Sequence, residues 1–76
     1  MNAKFIFWRN LEFLTSDHNY GKLSHAERDT LKLIQTRNTA KPVPFAEDSK
    51  YLKDMVVAVN ERNADQKRLI DGIYRQ

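Results

Sequence analysis

The chain has 76 residues, with 13 basic and 10 acidic side chains, a formal charge of +3 and no cysteine. A chain of this length forms one domain and buries only about 60% of the surface that its unfolded form exposes, which leaves little energy for strained catalytic geometry. The lack of cysteine excludes disulfides, thiolate metal sites and cysteine nucleophiles. The small basic excess permits binding to an anionic polymer without demanding it. We expect a single helical domain over residues 1–76.

The amino-terminal segment carries the first apolar run, over residues 5–8. Phe7, Leu11 and Leu14 keep helical spacing, although residues 5–8 alone are equally compatible with a short strand. We predict a helix. Four uninterrupted apolar residues are too few for a signal-peptide core or a membrane span, so we expect a cytoplasmic protein.

A second helix is predicted to begin near Ser24, after a segment rich in turn formers at residues 15–21. Ser24 and Glu27 have the spacing of a capping box, in which each side chain accepts a hydrogen bond from the other residue's amide. At 100° per residue, this helix has two distinct sides. One side holds Ala26, Thr30, Leu33, Ile34 and Arg37, and the opposite, solvated basic side holds Arg28, Lys32 and Gln35.

The main internal loop is predicted at residues 38–44, because its two prolines lack amide donors and push their preceding residues toward extended conformations. Asp48 or Ser49 is expected to cap a third helix after this loop. Its buried stripe follows helical spacing. The stripe consists of Tyr51, Leu52, Met55, Val56 and Val59.

The segment 60–63 interrupts this apolar pattern, and Asn63 with Gln66 is expected to cap a fourth helix. That helix carries an apolar stripe over residues 69–74, within which Gly72 indicates a helix end or a close backbone approach. A single helix over residues 49–75 is the alternative, and it would suit a dimer. We favour the break, a monomer, and an all-α bundle of four short helices.

Catalytic and metal-binding patterns are weak in this chain. His18 and His25 are seven residues apart, which matches no metal signature, and we expect two exposed histidines and no metal site. No nucleophile elbow or phosphate-cradling glycine loop is present in the sequence. We therefore expect neither an enzyme nor a bound cofactor.

Basic residues provide the best functional signal. Arg28 and Lys32 are one helical turn apart, and lysines flank the neighbouring helix starts and the loop, so that folding is expected to assemble a phosphate-binding surface. The predicted nucleic-acid-binding residues are Lys22, Arg28, Lys32, Lys41, Lys50 and Lys53.

The aromatic and basic residues over 4–9 offer two interpretations. Phe5 and Trp8 are suited to stacking on unpaired bases while Lys4 and Arg9 contact phosphates. Alternatively, the aromatic residues belong to the core, which so small a chain needs, and we favour that interpretation. Exposure of Trp8 would reverse the preference.

From Glu27 to Ile73, the chain has Arg37, Ala40, Val43-Pro44, Asp48, Leu52 and Met55 in this order, followed by residues 63–66 and then Leu69-Ile70-Asp71-Gly72-Ile73. This order of features resembles the helicase-and-RNase-D C-terminal module (HRDC), although the tryptophan–arginine pair typical of the family's first long helix is missing. It implies a small helical module that binds single-stranded or branched DNA in a structure-dependent way. A chain of this size also looks like a small phage-encoded accessory protein for replication or recombination.

Two functions follow as expectations. The first is a nucleic-acid-binding accessory module, weak and without sequence specificity, that assists a helicase in recombination or replication. The alternative is a protein-binding adaptor or inhibitor, such as a phage-encoded one, that docks an apolar face on a larger enzyme. An exposed patch formed by Phe5, Trp8, Tyr20 or Tyr51 would favour the adaptor.

Overall fold

The computed structural model describes the backbone of residues 2–75 and the side chains of residues 2–67, and within that range the chain forms four helices and no strand. The predicted all-α bundle is confirmed, but its division into helices differs. The predicted turn before Ser24 contains a one-turn helix, and the third and fourth predicted helices are one. The elements are α1 (Ala3–Thr15), α2 (Asp17–Tyr20), α3 (His25–Asn38) and α4 (Ala46–Arg75). No helix in the described range is long and apolar enough to cross a membrane.

Helix α1 begins at an asparagine cap and buries the predicted stripe. The Asn2 side chain accepts a hydrogen bond from the Phe5 amide at 3.1 Å, which satisfies one of the free donors of the first turn. Phe7, Leu11 and Leu14 are buried. The helical interpretation of the first apolar run is therefore confirmed.

Helix α3 begins at the predicted capping box, but it buries a different side. The Ser24 hydroxyl accepts from the Glu27 amide at 3.2 Å, and the Glu27 carboxylate accepts from the Ser24 amide at 2.8 Å. Leu33 was grouped with Ile34, yet it is 64% exposed. The buried residues of the helix are Leu31, Ile34 and Asn38. This side of α3 faces the start of α4, where the Asn38 side-chain amide donates to Asp48.

Two ion pairs show that α3 and α4 run in opposite directions. Arg37, at the end of α3, contacts Asp48 in the first turn of α4. Glu27, in the first turn of α3, contacts Arg62 about four turns further along α4. The two helices are therefore antiparallel.

Helix α1 lies alongside α4 in the same direction. Ile6, near the start of α1, lines a groove with Lys50, near the start of α4. Asn19, just beyond the end of α1, accepts a hydrogen bond from Asn63 further along α4. The three long helices enclose one core, which consists of Phe7, Leu11, Leu14, Leu23, Leu31, Ile34, Leu52, Met55 and Val59.

A buried polar network joins the end of α3 to the start of α4. The Asp48 carboxylate, on a residue only 4% exposed, accepts from Arg37 Nε at 2.7 Å and from Asn38 Nδ2 at 2.8 Å. Asn38 Oδ1 accepts from the Phe45 amide at 2.9 Å. The expectation that Asp48 or Ser49 caps the helix is wrong, since α4 already begins at Ala46 and the Asp48 carboxylate is bound by side chains of α3.

The predicted break at residues 60–63 is also wrong, because α4 is continuous. Asn63 caps no helix, and its side-chain amide donates to Asn19 Oδ1 at 3.1 Å. The Arg62 guanidinium donates to both carboxylate oxygens of Glu27, each at 3.1 Å. These residues are polar because they face α2 and the start of α3. Here the polar residues that interrupt the apolar stripe do not end the helix, because they contact polar groups of the neighbouring elements.

The 30 residues of α4 extend over about 45 Å, which explains the elongated dimensions of 52 × 28 × 18 Å. The predicted buried stripe of α4 is confirmed, with Leu52, Met55 and Val59 buried and Tyr51 and Val56 packed against them. Helix α4 continues through Gly72 to Arg75, so the helix does not end at this glycine. The prediction for the stripe over residues 69–74 concerns side chains outside the described range.

Replacing Asn60 tests the continuity of α4. Asn60 is exposed, and alanine is preferred over asparagine inside a helix by about 0.5 kcal/mol, so Asn60→Ala is expected to raise Tm by about 2–4 °C. In Asn63→Ala the same gain in helix propensity is offset by the loss of the hydrogen bond to Asn19, and we expect no rise in Tm. A lower Tm for Asn60→Ala in thermal circular dichroism would contradict a continuous helix.

Stability is expected to fall as the pH drops below about 5. Hydrogen bonds from Arg37 hold the pKa of Asp48 below its ordinary value of 3.8, and those from Arg62 hold the pKa of Glu27 below 4.5. Because the unfolded chain takes up these protons first, the stabilisation is complete above the ordinary pKa values and is lost as the pH falls through the folded ones.

Urea unfolding of Asp48→Asn at pH 7 and pH 3 measures the share of this effect that belongs to Asp48. We expect the variant to lose about 2 kcal/mol at pH 7 and to show a smaller further loss at pH 3. Asp54→Asn, which removes an exposed carboxylate from the same helix, is the control. A pH dependence of Asp48→Asn equal to that of the unmodified protein would refute this role of Asp48.

A monomer and a dimer formed through α4 differ in how Tm depends on protein concentration. Association stabilises a folded dimer by mass action, so its Tm rises with protein concentration, whereas the Tm of a monomer does not. For the monomer we expect the same Tm from about 10 μM to about 1 mM. A steady rise across that range would instead support the dimer.

Candidate nucleic-acid interface

The fold separates charge along the bundle axis. A cut through the midpoints of α1, α3 and residues 46–67 of α4 places residues 2–9 and 32–56 in one half, with seven basic and three acidic side chains, a net charge of +4. We call it the basic half. The other half, residues 10–31 and 57–67, has four basic and six acidic side chains, a net charge of −2. The cations of the basic half are Lys4, Arg9, Lys32, Arg37, Lys41, Lys50 and Lys53.

This separation divides the six residues predicted to bind nucleic acid. The basic half contains Lys32, Lys41, Lys50 and Lys53, and the other half contains Lys22 and Arg28. The six residues therefore do not share one end of the bundle. Antiparallel packing of α3 against α4 causes the division, because it places the start of α3 at the opposite end from the start of α4.

Lys50 and Lys53 are the best-placed pair of the basic half. Both are exposed, one helical turn apart on α4, beside a groove of about 640 Å³ between α4 and the start of α1. The ion pairs in the described part of the chain involve Arg37 and Arg62, so these two lysines keep their charge available to solvent. The other residues of the groove are Ala3, Ile6, Phe7, Asn10 and Ser49.

Lys41 lies in the loop before α4. Its ammonium nitrogen is 4.0 Å from the centroid of the Phe45 ring, a cation–π contact that holds the lysine at the surface. Lys32, on α3, is exposed. The start of α4, the loop and the end of α3 thus each contribute at least one lysine to the basic half.

Arg28 and Lys22 make contacts within the fold. Arg28 Nε donates to the Tyr20 carbonyl at 3.1 Å, and the guanidinium lies 4.8 Å from the centroid of the Tyr20 ring. The Lys22 side chain contacts Gln66, and the Lys22 carbonyl accepts from Arg62 at 2.8 Å. These two cations hold the turn between α2 and α3 against its neighbours.

Two cations of the basic half, Lys4 and Arg9, are absent from the predicted site. Both are exposed on the first turns of α1. Their signal in the sequence is their position on either side of the aromatic-rich segment 5–8. The assignment of the aromatic residues to the core leaves this signal unused.

That assignment to the core is wrong for Phe5, correct for Phe7 and correct in part for Trp8, which packs against the core without being fully buried. Phe5 is 53% exposed, whereas Phe7 is buried. Trp8 is half-buried, and its ring meets that of Phe7 edge to face at a centroid distance of 5.0 Å. The surface groove beside these rings has a volume of about 430 Å³, and its lining consists of Asn2, Lys4, Phe5, Trp8, Arg9 and Glu12.

The histidines lie at the surface, as predicted. His18 is on α2 and His25 is the first residue of α3, and both are exposed. Among the described residues, no group of three or more histidine or carboxylate side chains is arranged to hold a metal ion.

Protein-family models, curated proteins and solved structures yield no significant match to this chain. The candidate site therefore stands on its own geometry. Its main features are the basic half of the bundle, the exposed pair Lys50 and Lys53, and the aromatic surface on α1.

Proposed function

We propose that this protein binds nucleic acid through its basic half, weakly and without reading sequence, as an accessory module in DNA replication or recombination. The observation that carries the proposal is the charge separation within residues 2–67, where the basic half has a net charge of +4 and the other half a net charge of −2. Neutralising phosphates with lysine releases condensed counterions, which supplies most of the free energy of non-specific binding. The association with a helicase rests on the resemblance of residues 27–73 to the HRDC module.

Side-chain chemistry supports the lack of sequence specificity. Lysine acts as a point charge toward phosphate, whereas the commonest specific contact is a bidentate arginine on guanine. The basic half has two arginines, Arg9 and Arg37. The Arg37 guanidinium is engaged with the Asp48 carboxylate, so its fork is not free to read a base edge.

Paired charge removals on the two halves test the proposal. Lys50→Gln/Lys53→Gln is expected to weaken binding to a fluorescent DNA oligomer about fivefold or more in low salt, and to reduce the salt slope by nearly two. The control, Lys22→Gln/Lys67→Gln, removes the same charge from the other half. We expect it to have a much smaller effect, measured by fluorescence anisotropy at several salt concentrations.

Two outcomes of this experiment argue against the proposal. Equal losses in both double variants would show attraction by net charge alone, without a preferred half. A lack of binding to any DNA at about 20 mM salt would remove the function itself, because low salt favours phosphate contacts most strongly.

A protein-binding adaptor is the second candidate, and the groove between α1 and α4 favours it. The exposed apolar side chain of this groove is Ile6, which is 44% exposed, and the buried Phe7 also lines it. Exposed apolar surface beside charged residues is typical of docking sites. This candidate becomes the preferred one if DNA binding is absent at low salt. Of the four aromatic residues expected to mark such a surface, however, three are packed against the core, namely Trp8, Tyr20 and Tyr51.

A further inference from the structure

The outward side of α1 carries an aromatic side chain that the core does not use. Phe5 is 53% exposed, whereas Phe7, two residues further along the same helix, is buried in the core. An exposed phenylalanine ring costs free energy in water because its apolar surface stays hydrated. Its position is explained if the ring contacts a ligand.

The surroundings of Phe5 combine an aromatic pair with positive charge. The Arg9 guanidinium carbon is 5.8 Å from the centroid of the Phe5 ring, at the outer limit of a cation–π contact. Trp8 borders the same groove and is held in place by its edge-to-face contact with Phe7. Lys4 and Glu12 complete the charged border of the groove.

We propose that Phe5 and Trp8 form a stacking platform for the unpaired bases of a single-stranded nucleic acid, with Lys4 and Arg9 contacting the adjacent phosphates. The inference rests on the proposed function and narrows it to unpaired strands. Stacking on an aromatic side chain contributes to single-strand binding largely independently of base identity, since every base has a π face.

Charge selects a nucleic acid over an apolar peptide as the occupant of this surface. The platform lies on the basic half, and two of the three charged residues around its groove are cations. In a duplex the base faces are stacked on one another, so the Phe5 ring has no base face to contact. The platform therefore predicts a preference for single strands that phosphate contacts alone do not supply.

Three ligands separate stacking from phosphate binding. They are a 12-nucleotide oligothymidine, an abasic strand of the same length, and a duplex of 12 base pairs. Trp8 is the single tryptophan of the chain, so its fluorescence reports directly on the platform. We expect oligothymidine to quench this emission and the abasic strand, which keeps the phosphates, to leave it almost unchanged.

The variant Phe5→Leu removes the ring and keeps an apolar side chain at an exposed position. We expect its affinity for oligothymidine to fall about tenfold, while its affinity for the duplex and the abasic strand stays the same. The matched control is Phe45→Leu, which removes another exposed aromatic ring from the basic half. An unchanged Tm in both variants verifies that the bundle is intact.

Several results overturn the platform. These are equal oligothymidine affinities of Phe5→Leu and the unmodified protein, quenching by the abasic strand as strong as by oligothymidine, or an equal loss in Phe45→Leu. In each of these cases duplex and abasic binding remain measurable, so the proposed phosphate binding survives. Failure of all three ligands to bind at about 20 mM salt would reject the proposed function as well.

Discussion

The arrangement of the bundle depends on the ion pair and hydrogen bonds that the buried Asp48 carboxylate accepts from α3. A charged group that is only 4% exposed is stable there because Arg37 and Asn38 donate to it from the end of α3. Asn38 also accepts from the Phe45 amide, which fixes the loop between the two helices. The network thereby sets the position and the direction of α4 relative to α3, and removal of Arg37 would leave the buried carboxylate without its ion-pair partner.

Helix direction in turn determines the electrostatics of the molecule. Along the chain, net charges of +2, 0 and +1 for residues 1–40, 41–60 and 61–76 reveal no basic segment. Because α1 and α4 are parallel and α3 is antiparallel to both, the start of α1 and the end of α3, each with two cations and no carboxylate, meet at one end beside Lys41 of the loop. There they outweigh the start of α4, where Lys50 and Lys53 are accompanied by three carboxylates. The same packing brings the net acidic end of α1 and start of α3 together at the other end. A surface suited to phosphate therefore arises from topology, and the aromatic surface on α1 belongs to the same end.

The sequence predicted best those features of the fold that depend on residues close together in the chain. The capping box at Ser24 and Glu27, the proline loop and the stripe of α4 from Leu52 to Val59 follow from neighbouring side chains and were predicted correctly. Asn63 was misread because its capping ability is local, whereas its partner Asn19 is 44 residues away. The contact between the Arg28 guanidinium and the ring of Tyr20 was missed for the same reason, since it joins two different elements of the fold.

The sequence by itself determined that the chain is a cysteine-free, all-α protein with a slight basic excess, because composition and helical periodicity are properties of the chain alone. Only the tertiary structure decided that Asp48 is buried, that α4 runs without a break, that Phe5 faces outward and that Lys50 and Lys53 lie on a basic half separate from Lys22 and Arg28. These features depend on contacts between residues distant in the chain. Periodicity shows which residues share a side of a helix, but not which side the neighbouring helices will cover.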